Sequence, residues 1–256
     1  MVTDSEIASI PGWFARTDVE AFRVLLDATA RLFPDGGDLA ELGVFKGKSA
    51  ALIGAYVRPG ERFTVIDLFE SMAADQANAV ENAQQYEGLT RATFETNYLH
   101  VHRELPTVVT GFSQSITDHA PLGTHRFVHI DASHLYKHVV SDLEAAKSLL
   151  TSNGVVVLDD YRSEHTPGVA AAAWRCDGLR PFLLTSTKMY ATWGDPTPWK
   201  QAVSSWLASD WADHHEVQEI DSEDVYRVWT DEHRLKQLVP PVVAPALGRL
   251  RTRLGR

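Results

Sequence analysis

Two apolar runs that each end on acid constrain this chain more than any other feature. Phe127-Val128-His129-Ile130 leads into Asp131-Ala132-Ser133-His134, and Val155-Val156-Val157-Leu158 leads into Asp159-Asp160-Tyr161. Between them Tyr136, Val139, Val140, Leu143 and Leu150 recur at helical steps. Strand, helix and strand, with strands apolar throughout, is the pattern of a parallel βαβ unit buried on both faces. Ligands of such sheets sit beyond the carboxyl ends of the strands. That rule gathers Asp131, His134, Asp159 and Asp160 around one crevice. Clustered carboxylates are costly unless positive charge lies among them, and a divalent cation is the natural candidate.

The flanking segments extend the pattern. Leu39 to Val44 reads as the first strand, followed by Phe45-Lys46-Gly47-Lys48-Ser49 and an apolar helix from Ala50 to Tyr56. Gly43 and Gly47 permit a tight turn, and free N–H groups at the helix start can hold an anion. The G-x-x-x-G spacing is neither the dinucleotide fingerprint nor a P-loop. Arg62 to Asp67 is the second strand. Asp67 at its end can accept both ribose hydroxyls of a nucleoside, or serve as a cap or turn residue. Residues 70–105 are polar and helix-prone, for example Ala73 to Tyr86, and have the character of a lid. Pro106 to Ser113 holds a short third strand and its loop, with Ser113 and Gln114 in reach of an adenine.

The fourth strand runs from Arg126 to Asp131. Its helix spans about Leu135 to Leu150, capped by Ser133 and closed by Asn153-Gly154. Val155 to Asp160 is the fifth strand, and Val169 to Cys176 a helix. Phe182–Thr185 and Met189–Trp193 are two further strands, Ala202–Trp211 a helix, and Val225–Trp229 a last strand at the sheet edge. Residues 10–33 form an amphipathic helix, with Phe14, Val19, Phe22, Leu25, Leu26 and Leu32 on one side, that either flanks the domain or covers the site. The expected fold is a doubly wound α/β sheet of seven strands, mostly parallel with an antiparallel edge strand. It fills one domain over 1–256: an N-terminal helical cover (1–37), a core (38–230) with a lid insertion (69–105), and a tail (231–256).

Composition excludes several functions. A formal net charge of −10 over 256 residues argues against general nucleic-acid binding. The single cysteine, Cys176, leaves no intrachain disulfide and fits a reducing, cytoplasmic compartment. The acidic start lacks a secretory pattern, and no apolar run is long enough to insert stably in a bilayer. Arg249, Arg251, Arg253 and Arg256 in the tail read as a solvated segment, with an anionic partner as the alternative.

Taken in order, Glu41 to Ser49, Asp67, Gly111-Phe112-Ser113, His129 to Tyr136, Asp142-Leu143 and Gly154 to Tyr161 resemble the class I S-adenosylmethionine-dependent methyltransferases. Within them the chain looks like the metal-dependent sugar O-methyltransferases of the macrocin and mycinamicin type. The likeness covers roughly residues 38 to 170, and His129 to Tyr161 is its most specific part. It implies a Rossmann-like fold. It implies that Glu41, Gly43, Phe45, Gly47, Ser49, Asp67, Ser113 and Asp131 bind S-adenosylmethionine, with Glu41 and Gly43 at its methionine end. Asp131, Asp159 and Asp160 correspond to Mg²⁺ ligands and His134 to the general base. Many relatives carry Gly where this chain has Ala132, and some place an acid after it as the base; none stands there in this chain. The acceptor implied is a glycoside or oligosaccharide, such as an antibiotic deoxysugar or a methylmannose polysaccharide precursor. Sugar-methylating relatives are often oligomers, although no stretch of this sequence marks an interface.

The chemistry suits that set. A sugar hydroxyl keeps its proton at neutral pH; a hard cation can hold and acidify it, and a histidine can then take the proton. Each residue has a plainer use: Asp159-Asp160 as a turn, Asp131 as partner of the cofactor's ammonium, His134 as a solvated first-turn residue. His165 is a further candidate for the acceptor pocket. The competing functions are a catechol-type O-methyltransferase, a dinucleotide oxidoreductase, and a non-catalytic cofactor-binding protein.

Overall fold

The structure, a computed structural model, describes residues 2–71, 89–209 and 214–230. In chain order the elements are α1 (Asp4–Ser9), α2 (Arg16–Leu32), β1 (Asp38–Leu42), α3 (Lys48–Gly54), β2 (Phe63–Asp67), α4 (Arg91–Val101), β3 (Thr107–Thr110), a 3-10 turn (Ser113–Asp118), β4 (His125–Ile130), α5 (Tyr136–Leu149), β5 (Leu150–Leu158), α6 (Pro167–Arg175), β6 (Arg180–Leu184), β7 (Met189–Thr192), α7 (Thr197–Leu207), β8 (His214–Ile220) and β9 (Glu223–Trp229). The helix expected in the lid, Ala73 to Tyr86, together with Trp211 and the tail, lies outside the described residues.

The strands form one sheet in the order β3-β2-β1-β4-β5-β7-β6-β9-β8. From β3 to β5 every pairing is parallel. β7 runs antiparallel to both β5 and β6, and β8 runs antiparallel to β9. The expected doubly wound sheet with an antiparallel edge strand is present; among the described residues it has nine strands rather than seven, and β7 is a second antiparallel strand, inside it. The extra edge strand is β8, His-His-Glu-Val-Gln-Glu-Ile, largely exposed and too polar to announce itself. Val225 to Trp229 is consequently one strand in from the edge.

Side chains alternate across the sheet with period two. Val155 and Val157 join Phe127, Leu39 and the α2 residues Phe22, Leu25 and Leu26 on one face. Val156 and Leu158 join Ala40, Leu42 and the α5 residues Val139, Leu143 and Leu149 on the other. Continuous apolar strands are therefore a direct consequence of helices on both sides. The N-terminal helix begins at Arg16, later than expected, because Pro11-Gly12 breaks the pattern and Gly12 has φ 136°. Ser133 does not cap α5 from the N-cap position: Leu135 holds it, and the Ser133 hydroxyl accepts from Leu135 N at 3.3 Å. Asn153-Gly154 does not close that helix. Both residues lie in β5, where a Cβ on Gly154 would sit 2.6 Å from Leu150 Cδ2 and 2.9 Å from the His125 carbonyl.

A buried ion pair fixes the opposite end of the central strands. The Arg126 side chain is fully buried and donates to Glu61 through Nε (3.1 Å) and Nη2 (2.8 Å). It also donates to the Gly37 and Tyr56 carbonyls and the Thr29 hydroxyl. Burial would raise the Glu61 carboxyl, but the Arg126 and Arg58 bonds outweigh it and hold it at about 2. Glu61→Gln strands a buried guanidinium and should cost about 3–5 kcal/mol in urea unfolding at pH 7. A depressed carboxyl stabilises above its unfolded value of 4.5 and loses that contribution as pH falls toward 2. The wild-type advantage over Glu61→Gln should thus shrink by about 3 kcal/mol between pH 5 and pH 2; a gap independent of pH would refute the pairing.

Candidate active site

The turn after β1 depends on one close approach. Gly43 has φ 81°, and a Cβ there would overlap the Asp131 carbonyl. The ends of β1 and β4 meet only because this residue has no side chain. Phe45 also occupies the left-handed region, at φ 46°. Asp67, at the end of β2, holds the turn in shape. Its Oδ2 accepts from Val44 N (2.7 Å) and Phe45 N (3.0 Å), and its Oδ1 from Phe69 N (2.9 Å). The anion at these amides is therefore the chain's own carboxylate. With four lone-pair positions and three bonds, Asp67 keeps acceptor capacity toward a ligand.

A cleft opens at this edge, lined by both apolar and polar groups as small-molecule sites are. Gly43, Phe45, Asp67 and Phe69 line one side, Phe112, Ser113 and Gln114 another, and Asp131, Ala132, Ser133 and His138 the floor. Ser113 is held by its bond to Asp142 Oδ1 at 2.5 Å, and burial pushes the Asp142 carboxyl up to about 7. Five of the eight residues expected at the cofactor, Gly43, Phe45, Asp67, Ser113 and Asp131, thus face the cleft.

Glu41, Gly47 and Ser49 do not line it. Gly47 caps α3 against the Phe94 ring. The Ser49 hydroxyl donates to Glu41 Oε1 at 2.5 Å, and His129 Nδ1 lies 2.7 Å from the same oxygen. Burial drives Glu41 well above its ordinary range and His129 well below. Among the described residues no group hydrogen-bonds to Glu41 Oε2.

At the ends of β4 and β5, His129, Asp131 and Asp159 each offer a ligand atom, all within 4.8 Å of one another. Two hard carboxylate oxygens at that separation suit a small divalent cation. Asp160, expected in the same group, is not brought into it. At φ 52° its backbone is strained, and the turn is pinned by the Thr166 hydroxyl on its carbonyl (2.7 Å) and the Ser163 hydroxyl on its Oδ1 (2.6 Å). Its Oδ2 lies 3.3 Å from His134 Nε2. Burial would raise Asp160, but the bonds from His134 and Ser163 hold it at about 2. Gly168, at the start of α6, packs against the same loop. A Cβ there would stand 2.7 Å from both the His134 carbonyl and Tyr136 N.

Sequence reasoning missed Lys188. Only 2% exposed, it stands between β6 and β7, with Nζ 2.6 Å from Asp159 Oδ2 and 3.4 Å from His129 Nε2. Burial opposes its charge, but Asp159, Asp131 and Asp18 outweigh it and raise the ammonium above its ordinary value. Asp18, fully buried in α2, accepts from Thr185 (2.6 Å), Thr187 (2.9 Å) and Tyr190 (2.8 Å). The available signal was a lysine heading the apolar run Met189-Tyr190-Ala191. For His129 it was a period-two position shared with Phe127.

Comparisons with known proteins bear on the domain and its fold. Residues 40–161 match the family described as a methyltransferase domain. No curated protein sequence matches the chain. Among solved structures, the O-methyltransferase NovP is 18% identical with a TM-score of 0.55, over 70% of this chain and 81% of its own. The calicheamicin methyltransferase CalS11 is 21% identical with a TM-score of 0.53, over 71% and 81%. No helix among the described residues is long and apolar enough to cross a membrane. The chain is a methyltransferase of the S-adenosylmethionine-dependent type, carrying a methyltransferase domain at residues 40–161 on the class I, Rossmann-like fold.

Proposed function

We propose that this enzyme methylates a hydroxyl of a sugar, on a glycoside or oligosaccharide such as a mannoside, with Mg²⁺ or a similar hard cation at Asp131 and Asp159. One observation carries the reading. Asp131 both lines the cleft suited to the cofactor and belongs to the acid group beside it. The methyl donor and an acceptor oxygen can therefore meet at one carboxylate. NovP and CalS11, named as an O-methyltransferase and a calicheamicin methyltransferase, share the fold, and the sequence resemblance supplies the sugar.

The donor set fits the cation. Asp131 and Asp159 supply hard oxygens beside a ring nitrogen of His129, and Asp131 is short of positive charge: burial, then Asp159, drive its carboxyl well above the ordinary range despite Lys188. When bound, the cation would polarise an acceptor hydroxyl and lower its pKa. The protein's own residues do the rest. Asp67 and the Gly43–Phe45 turn seat the nucleoside, and Phe112, Ser113 and Gln114 border its base. His134 accepts the hydroxyl proton, and Asp160, beside its Nε2, stabilises the imidazolium that results. Ser163 and Thr166 fix Asp160 for that task. Lys188 keeps Asp159 in place from behind.

Transfer of a labelled methyl group to a panel of pyranosides should proceed with Mg²⁺ and fall at least about 100-fold with chelator. Asp131→Asn should show the same loss and no response to added cation, because it removes a ligand charge without stranding a partner. Undiminished turnover in chelator would sink the cation assignment. His134→Ala should slow turnover by about two to four powers of ten, with cofactor affinity by calorimetry unchanged. A matching drop in affinity would make His134 a structural residue.

A further inference from the structure

The segment Gly12-Trp13-Phe14 bridges the two halves of the site. Among the described residues Trp13 is the most exposed of the large apolar side chains, at 81%, yet the chain around it is fixed. The Gly12 carbonyl accepts from Lys48 Nζ at 2.9 Å, and Phe14 packs edge-on against Phe22 with ring centres 4.9 Å apart. The Phe14 ring centre also lies 5.5 Å from Lys188 Nζ, the ammonium that pairs with Asp159. Trp13 stacks on Phe45, with ring centres 5.8 Å apart and planes inclined by 23°, and Phe45 lines the cleft. Three consecutive residues thus run from the wall of the cleft to the acid group.

An acceptor hydroxyl that meets a methyl donor between those two places must bring its ring past this segment. An indole face is apolar and carries the negative side of its quadrupole. The axial C–H face of a pyranose is apolar and weakly positive, and its rim of hydroxyls needs acceptors such as the carboxylates nearby. An indole open to solvent forgoes the stabilisation that burial brings; a stacked sugar restores it.

We infer that Trp13 is the stacking platform for the pyranose ring of the acceptor and a determinant of acceptor specificity. The inference rests on the sugar-methylating function proposed above. The test is steady-state methyl transfer to methyl α-D-mannopyranoside and p-nitrophenyl α-L-rhamnopyranoside by wild type, Trp13→Ala and Trp13→Tyr. Cofactor affinity, Tm and sedimentation are measured alongside. Trp13→Ala should raise the acceptor KM at least tenfold, with kcat, cofactor affinity and Tm nearly unchanged, and Trp13→Tyr should recover most of the loss. Saturation-transfer NMR should show the glycoside's ring protons losing contact in Trp13→Ala. An unchanged acceptor KM in a wild type that does methylate these sugars overturns the platform alone. A shift of Trp13→Ala to a smaller species in sedimentation also overturns it, since the ring would then belong to a contact between copies. If wild type methylates neither sugar, the sugar-methylating function fails, and the platform with it.

Discussion

A buried ammonium holds the carboxyl edge of this sheet together. Lys188 faces Asp159, His129 and, through space, Asp131 and Asp18. A charge withdrawn from water this completely is tolerable only when paired, and here the pairing spans three strands. Asp18 extends it to α2 by accepting from three hydroxyls on β7 and the β6–β7 turn. The N-terminal helix therefore meets the sheet in two ways. It buries Phe22, Leu25 and Leu26 in the core, and it carries a carboxylate to the site.

Much of this was legible in the chain because the βαβ pattern is a local signal. Apolar strands followed by acids placed Asp131 and Asp159 together without knowledge of any contact. The same reasoning located the cleft, since Gly43 with φ 81° and Asp67 twenty-four residues on are parts of one turn. What stayed hidden is polar structure inside apolar surroundings. Lys188, His129, Asp18 and the Arg126–Glu61 pair have their partners 29 to 172 positions away in sequence, and no periodicity marks such pairs. Gly154 shows the opposite failure. A glycine after a helix reads as a stop, but its lack of a side chain here answers to Leu150 in its own strand and to the His125 carbonyl on β4. Asp160 was placed correctly in the chain and differently in its bonding, because a positive φ turned its carboxylate toward His134.

The balance of charge at the edge favours a further cation. Asp160 is held ionised by His134 and Ser163, and Asp159 has Lys188. Asp131 has neither: burial and the Asp159 carboxylate push its proton affinity up, and Lys188 offsets only part of that. An acid so placed either keeps a proton or exchanges it for a metal ion, and binding of the ion is then coupled to release of the proton. Had Lys188 been the whole answer to the clustered acids, Asp131 would be as settled as Asp160. Its remaining deficit, at the point where cleft and acid group meet, is what the cation proposed above would relieve.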